Sequence, residues 1–237
     1  MADAAALKLL SADVLTPVLT ALVREFERTT QRRVTLALAT TGVVRDRVRA
    51  GETADVAIMQ RPSMAMLAFD GRIVGDTIVD LGRSSVGVGV RAGAPRPDLG
   101  SVEGFKRSLL AAKSIGYTDP RKGGGSGAYF AALLEKLGLA GRLQPKTRYP
   151  GPGHSAADLI AEGGIDFGIA QPMEILARTG IELAGVLPAE LQDPELFVFS
   201  AGVLKRSQEP AAAKSLIAFL SGPAARAAIR RNGMDPG

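Results

Sequence analysis

The feature that most constrains this chain is a repeated alternation of short apolar runs with segments of helical period. Leu7-Lys8-Leu9-Leu10 reads as a strand, Ser11 as a turn, and Asp13 to Glu27 as a helix with apolar residues at Val14, Val18, Leu22 and Phe26. The unit recurs with Val34 to Leu38 as strand, Ala39-Thr40-Thr41-Gly42 as turn and Val43 to Ala50 as helix. Asp55 to Ile58 is the next strand, and Arg61-Pro62-Ser63 opens another helical piece. Such alternation describes βαβ units, so parallel strands are expected, with ligands gathering at their carboxyl edge. Hydrophobic residues make up 46% of the chain and aromatics only 5%, with no Trp, so Ala, Val, Leu and Ile must build the buried strands.

From about Arg83 the pattern changes to a long strand, Ser84 to Val90, ended by Gly93-Ala94-Pro95-Arg96-Pro97. A second series follows, with strands at Ser114 to Tyr117, Gln144 to Tyr149 and Asp166 to Ala170. Helices are predicted at Ala128 to Leu137 and Ser155 to Ala161, with another opening at Gln171-Pro172. A strand at Leu196 to Leu204 and helices at Ala211 to Leu220 and Pro223 to Arg230 complete the chain. The two long strands read as crossings between lobes, and 237 residues suffice for two lobes of about 100 residues each. The expectation is an α/β fold in which residues 1–82 and 200–237 form one lobe and residues 83–199 a second, inserted lobe. Each lobe is expected to be a mostly parallel sheet flanked by helices, with a ligand cleft and hinge between them.

Five predicted strand-to-helix junctions carry small hydroxyl residues, Gly, Pro or an amide: Ser11-Ala12, Thr40-Thr41-Gly42, Gly124-Gly125-Ser126, His154-Ser155 and Gln171-Pro172. A helix N-terminus exposes N–H groups without intrahelical partners and carries about half a positive charge, so converging termini hold an anion without Lys or Arg. The plain alternative is N-capping, for which Ser and Thr are preferred anywhere. The stretch YTDPRKGGGSGAY, Tyr117 to Tyr129, is not a nucleotide phosphate loop, because Lys122 precedes the glycines instead of following them. Nor does it have the dinucleotide G-x-G-x-x-G spacing. Its glycines let a backbone approach a ligand closely.

Leu10-Ser11, Thr40-Thr41, ADVAI at Ala54 to Ile58, YTDP followed by GGGSG, and DFGIAQ at Asp166 to Gln171 occur in an order that resembles the molybdate-binding-protein group of type II periplasmic solute-binding proteins. The resemblance spans nearly the whole chain and implies a two-lobed Venus-flytrap fold closing on an oxyanion. It implies hydroxyl contacts from Ser11 and from Thr40 or Thr41. It also implies contacts from the loop around Gly125, Ser126 and Gly127, and from His154 or Ser155. Gln171 falls where that group places an anion-donating Tyr, and Arg83, at a presumed crossing, offers a guanidinium that clamps carboxylates bidentately. Both departures tilt the ligand from tetrahedral oxyanions toward small organic acids. A branch of the family includes aconitate isomerase, which shifts a proton without a cofactor. In that branch His154 is the first candidate base, with Asp119, Lys122 and Glu174 behind it. An exported member of the group would serve the membrane component of an ABC transporter.

The net charge of +5 suits an anionic partner, but the basic residues are dispersed and not interleaved with aromatics, which argues against nucleic acid. With no Cys and one His, neither thiolate nor His-rich metal sites are available, and no metal or other cofactor is expected. The Ser126 region lacks the G-x-S-x-G elbow of a serine hydrolase. No apolar run of about 18 residues is present, so membrane insertion is not expected. MADAAALKLL lacks the character of an export signal, which predicts a cytoplasmic chain as it stands, or a periplasmic one whose signal has been removed. Binding of a small anion is the leading expectation. Isomerisation of an unsaturated carboxylate such as aconitate is the alternative, and a ligand-responsive sensor is a third.

Overall fold

The computed structural model describes residues 6–122, 125–151 and 154–237. The chain divides into two compact units, Met1–Ser84 with Pro194–Gly237, and Ser85–Asp193. The first unit begins with β1 (Leu7–Ala12), α1 (Thr16–Thr30), β2 (Val34–Ala39), α2 (Thr41–Arg49), β3 (Val56–Gln60), α3 (Arg61–Phe69) and β4 (Val79–Arg83). The second contains β5 (Gly87–Arg91), α4 (Val102–Ala111), β6 (Ile115–Tyr117), α5 (Gly125–Lys136) and α6 (Ala140–Leu143). It continues through β7 (Thr147–Arg148), α7 (Ala156–Ala161), β8 (Phe167–Ala170), α8 (Pro172–Leu176) and β9 (Ile181–Val186). The chain then returns to the first unit with β10 (Val198–Val203), α9 (Pro210–Ser221), α10 (Pro223–Arg231) and β11 (Asp235–Pro236).

Each unit is built on a mixed sheet. In the first, the order is β11-β4-β10-β3-β1-β2. Here β2, β1 and β3 are parallel, as the βαβ pattern requires, whereas β10 runs antiparallel to both β3 and β4, and β11 antiparallel to β4. In the second, the order is β7-β6-β8-β5-β9, with β7, β6 and β8 parallel and β5 antiparallel to its neighbours on either side. The antiparallel strands are those that carry the chain from one unit to the other or close a sheet edge.

Burial follows the expected periodicities. Helix α1 turns Val18, Leu19, Leu22, Val23 and Phe26 inward, a single apolar stripe, and ends where Gln31 adopts a left-handed conformation with φ 57°. In the second unit α7 lies close on the sheet because the strands beneath it are bare. A Cβ at Gly168 would stand 2.5 Å from Ile160 Cδ1, and one at Gly89 2.7 Å from the same atom. Lys146, just before β7, donates to the carbonyls of Leu110 and Ala112 at 2.7 Å each and so closes the C-terminal end of α4.

Several boundaries differ from the sequence expectation for identifiable reasons. The Asp13–Leu15 stretch is a tight 3-10 turn, and α1 starts only at Thr16. The strand expected over Ser84 to Val90 begins only at Gly87 and runs to Arg91. Ser84 N–H donates to the Phe197 carbonyl at 2.9 Å, while the Gln192 side-chain amide meets Val86 as a peptide would, accepting from its N–H at 3.0 Å and donating to its carbonyl at 2.9 Å. Helix α5 begins at Gly125, three residues before the expected start, so Gly125, Ser126 and Gly127 form its first turn. Gly127 is required there by packing, since a Cβ would fall 2.0 Å from the Thr118 carbonyl oxygen.

Candidate functional site

Parallel strands bring their carboxyl ends to one edge, and in the first unit that edge collects every residue singled out there by the sequence. Ser11 is paired with Leu38 on β2 and Ile58 on β3, so it sits one residue from the end of β1, beside the chain turn that leads through Thr40 into α2. Because β3 and β4 are both antiparallel to β10, they run in the same direction, and Arg83 at the end of β4 shares that edge. It stands three strand spacings from β1, about 14 Å, too far for one small ion to meet both backbones.

Ser11 is fully buried and its hydroxyl donates to the Ala12 carbonyl at 3.2 Å. Thr41 is buried at the first position of α2. Thr40 has N-cap geometry, with φ −60° and ψ 153°, yet its hydroxyl does not cap the helix. Its Oγ1 is buried and has no hydrogen-bond partner among the described residues. Asp13 follows on the same edge. Although the residue is exposed, desolvation of its carboxyl raises its pKa, against the lowering effect of the Val14 and Asp13 N–H groups.

One cation that the sequence did not single out, Arg61, also begins here, at the end of β3. It is turned toward β4, donating to both carboxylate oxygens of Asp80 and to Glu195 Oε2 at 2.6 Å. Ser200 Oγ donates to Asp80 Oδ1 at 2.6 Å. Burial pushes the Asp80 carboxyl up, but the Arg61 and Ser200 hydrogen bonds outweigh it and hold the group below its ordinary range.

In the second unit the carboxyl edge of β7, β6 and β8 carries Tyr149, Tyr117 and Gln171. Gln171 is 3% exposed, and its N–H donates to Glu174 Oε2 at 3.0 Å. Its side-chain Oε1 is buried without a partner among the described residues. Glu174, one of the candidate bases, is therefore engaged at the start of α8. The Tyr117 and Tyr149 hydroxyls lie 3.3 Å apart, with their rings edge to face at 5.3 Å. Burial and the neighbouring phenol raise the Tyr117 pKa, so it keeps its proton throughout the physiological range.

Asp119, 5% exposed, accepts from Arg121 three times, from its N–H at 3.0 Å, its Nε at 3.0 Å and its Nη2 at 2.8 Å. Ser126 is buried in the first turn of α5, beside Gly125 and Gly127. Gly123, Gly124, Pro152, Gly153 and the Lys122 side chain, which carry parts of two predicted junctions and one candidate base, lie outside the described residues.

The His154-Ser155 junction is a local cap. Ser155 N–H and Oγ both donate to Asp158 Oδ2, at 2.7 and 3.1 Å, and Asp158 in turn accepts from Arg178 at 2.7 Å. The His154 imidazole is exposed, with Nδ1 3.9 Å from Glu162 Oε1. Among the described residues no group of three His, Asp or Glu side chains is placed to hold a metal ion, and no helix is long and apolar enough to cross a membrane.

The sequence profile of the family described as bacterial extracellular solute-binding protein matches residues 7–235. The chain is 30% identical over 217 residues to an aconitate isomerase from Pseudomonas sp., covering 89% of this chain and 80% of that protein. Among solved structures it is similar to the periplasmic molybdate-binding protein of Azotobacter vinelandii, with a TM-score of 0.80 and 22% identity over 98% of this chain and 99% of that one. The sulfate-binding protein SubI of Mycobacterium tuberculosis H37Rv gives a TM-score of 0.74 and 20% identity over 98% of this chain and 86% of its own.

Proposed function

We propose that this chain, which belongs to the bacterial extracellular solute-binding protein family and has its two-lobed type II periplasmic-binding fold, binds a small anion, an oxyanion or an organic carboxylate, at the carboxyl edges of its parallel strands. One observation carries the reading. Among the described residues, Thr40 Oγ1 and Gln171 Oε1 are the side-chain oxygens buried without a partner, and both stand at junctions singled out for anion binding. Leaving such a group unsatisfied costs about 1–3 kcal/mol, which a bound ligand recovers. Ordinary capping would instead have turned the Thr40 hydroxyl onto its own helix, which it does not do. A half-turn of the Gln171 amide exchanges its oxygen for its NH2, so that terminus meets either a ligand hydroxyl or an anion oxygen. Ser11, Thr41, Ser126 and the first N–H groups of α2 and α5 complete the ligand contacts in this reading, with Arg83 more distant.

In an extracellular setting the chain would deliver its anion to the membrane component of an ABC transporter. Titration calorimetry with molybdate, tungstate, sulfate, citrate and aconitate tests the binding. Dissociation constants in the micromolar range for at least one of them are expected, and failure of all to bind below millimolar refutes it.

The aconitate isomerase relative favours a second reading, turnover of a small unsaturated carboxylate without a cofactor. At the first unit's edge Asp13, whose carboxyl has a pKa raised by desolvation, is a further candidate to carry the proton. Incubation with cis- or trans-aconitate followed by NMR decides it: interconversion no faster than in buffer removes this reading and leaves binding intact.

A further inference from the structure

The turn after β6 holds an arrangement that the family resemblance did not assign. Arg121 is 80% exposed, and the buried Asp119 carboxylate takes both its Nε and its Nη2. That leaves the edge bearing Nη1 without an acceptor among the described residues, facing outward in a planar fork that suits a carboxylate. Arg121 is also within electrostatic reach of the Tyr149 hydroxyl.

The phenol pair next to it has a preferred polarity. Tyr117 is 5% exposed and among the described residues its hydroxyl meets that of Tyr149 alone, so of the two possible directions donation from Tyr117 to Tyr149 satisfies the buried group best. The Tyr149 proton is then left for something outside the pair. A guanidinium anchored on Asp119 and a phenol bonded to Tyr117 thus flank the same turn at the carboxyl edge of the second sheet.

Resting on the anion-binding reading above, we propose that Arg121 and Tyr149 form a carboxylate subsite and that the ligand is an organic acid with at least two carboxylates. Tyr149 on the β7 side and Gln171 on β8 are separated by β6, two strand spacings or about 10 Å, a span that a compact oxyanion does not cover and a chain bearing several carboxylates does.

The test is calorimetric titration of tricarballylate, citrate, trans-aconitate, sulfate and molybdate into the whole chain and into Arg121→Gln, Arg121→Lys and Tyr149→Phe, with thermal melts to confirm folding. The polycarboxylates are expected to bind tightest. Arg121→Gln should weaken them at least about tenfold, Tyr149→Phe by several-fold, and Arg121→Lys by an intermediate amount, because it keeps the charge but loses the fork. Sulfate and molybdate should change less than about twofold, since neither reaches the subsite. Polycarboxylate affinity unchanged in Arg121→Gln overturns the subsite alone, as does a wild type that binds only sulfate or molybdate. A wild type that binds none of the five overturns the anion-binding reading together with it.

Discussion

Replacing Thr40 by Val separates a ligand-binding hydroxyl from a helix cap, because the two roles predict opposite effects on the empty protein. Val matches Thr in shape and accepts the extended backbone that Thr40 adopts, φ −60° and ψ 153°. In the structure Oγ1 is buried, has no partner among the described residues and does not cap α2, so its removal gives up no cap and lifts a desolvation cost of about 1–3 kcal/mol. Taking the low end of about 1 kcal/mol, the ligand-free melting temperature should rise by about 2–4 °C for a chain of this size.

Affinity should move the other way. One lost hydrogen bond of about 1–1.5 kcal/mol weakens the anion roughly tenfold. At an anion concentration 100 times the wild-type Kd, ligand stabilisation should fall from about 2.7 to about 1.4 kcal/mol. Differential scanning fluorimetry with and without the anion identified by calorimetry reads both numbers. A ligand-free Thr40→Val protein that melts lower than wild type shows that the hydroxyl caps α2, and the reasoning is refuted.

Gly127→Ala places a methyl 2.0 Å from the Thr118 carbonyl oxygen, so the start of α5 must shift and stability should drop by about 3 kcal/mol or more, measured by urea unfolding. Lys146→Met removes both hydrogen bonds to the end of α4, with an expected loss of about 1–3 kcal/mol in the same assay. Ionisation of Asp13 adds negative charge beside Ser11, so anion affinity should decline as pH rises through its elevated pKa, and Asp13→Asn should flatten that profile. Hydrogen bonds from Arg47 and Lys8 lower Glu52 from 4.5 to about 2. Its contribution to stability is thus complete above pH 4.5 and is lost as pH falls toward 2, a slope that Glu52→Gln should remove from acid melts.

The parallel strands were legible because each is a short apolar run followed by a helical period. Of the antiparallel ones, β5 and β10 overlap the strands expected over Ser84 to Val90 and Leu196 to Leu204, but β4, β9 and β11 were not legible. Strands β4 and β9 carry a glycine and charged residues among their apolar positions, and β11 has only two residues, so none presents a run long enough to recognise. Helix α4, Val102–Ala111, was also missed, though Ser101 caps it by accepting from Gly104 N–H at 3.0 Å. The sequence named Thr40 and Gln171 as junction residues, but only the fold shows that their oxygens lack partners. It gave no hint of the Tyr117–Tyr149 contact, which joins residues 32 apart through the pairing of β6 with β7. Nor did it distinguish Asp119 as the anchor of Arg121 from an ordinary turn residue.

Strand β10 lies between β3 and β4 but is made only after the whole of Ser85–Asp193. During synthesis the segment Ser85–Asp193 leaves the ribosome whole and can complete its own contacts, while the earlier-made unit still lacks its central strand. Until β10 arrives, the facing edges of β3 and β4 remain open to pairing with another nascent chain. The order of folding is therefore expected to reverse the order of translation, with the strands made before Ser85 waiting for one made after Asp193.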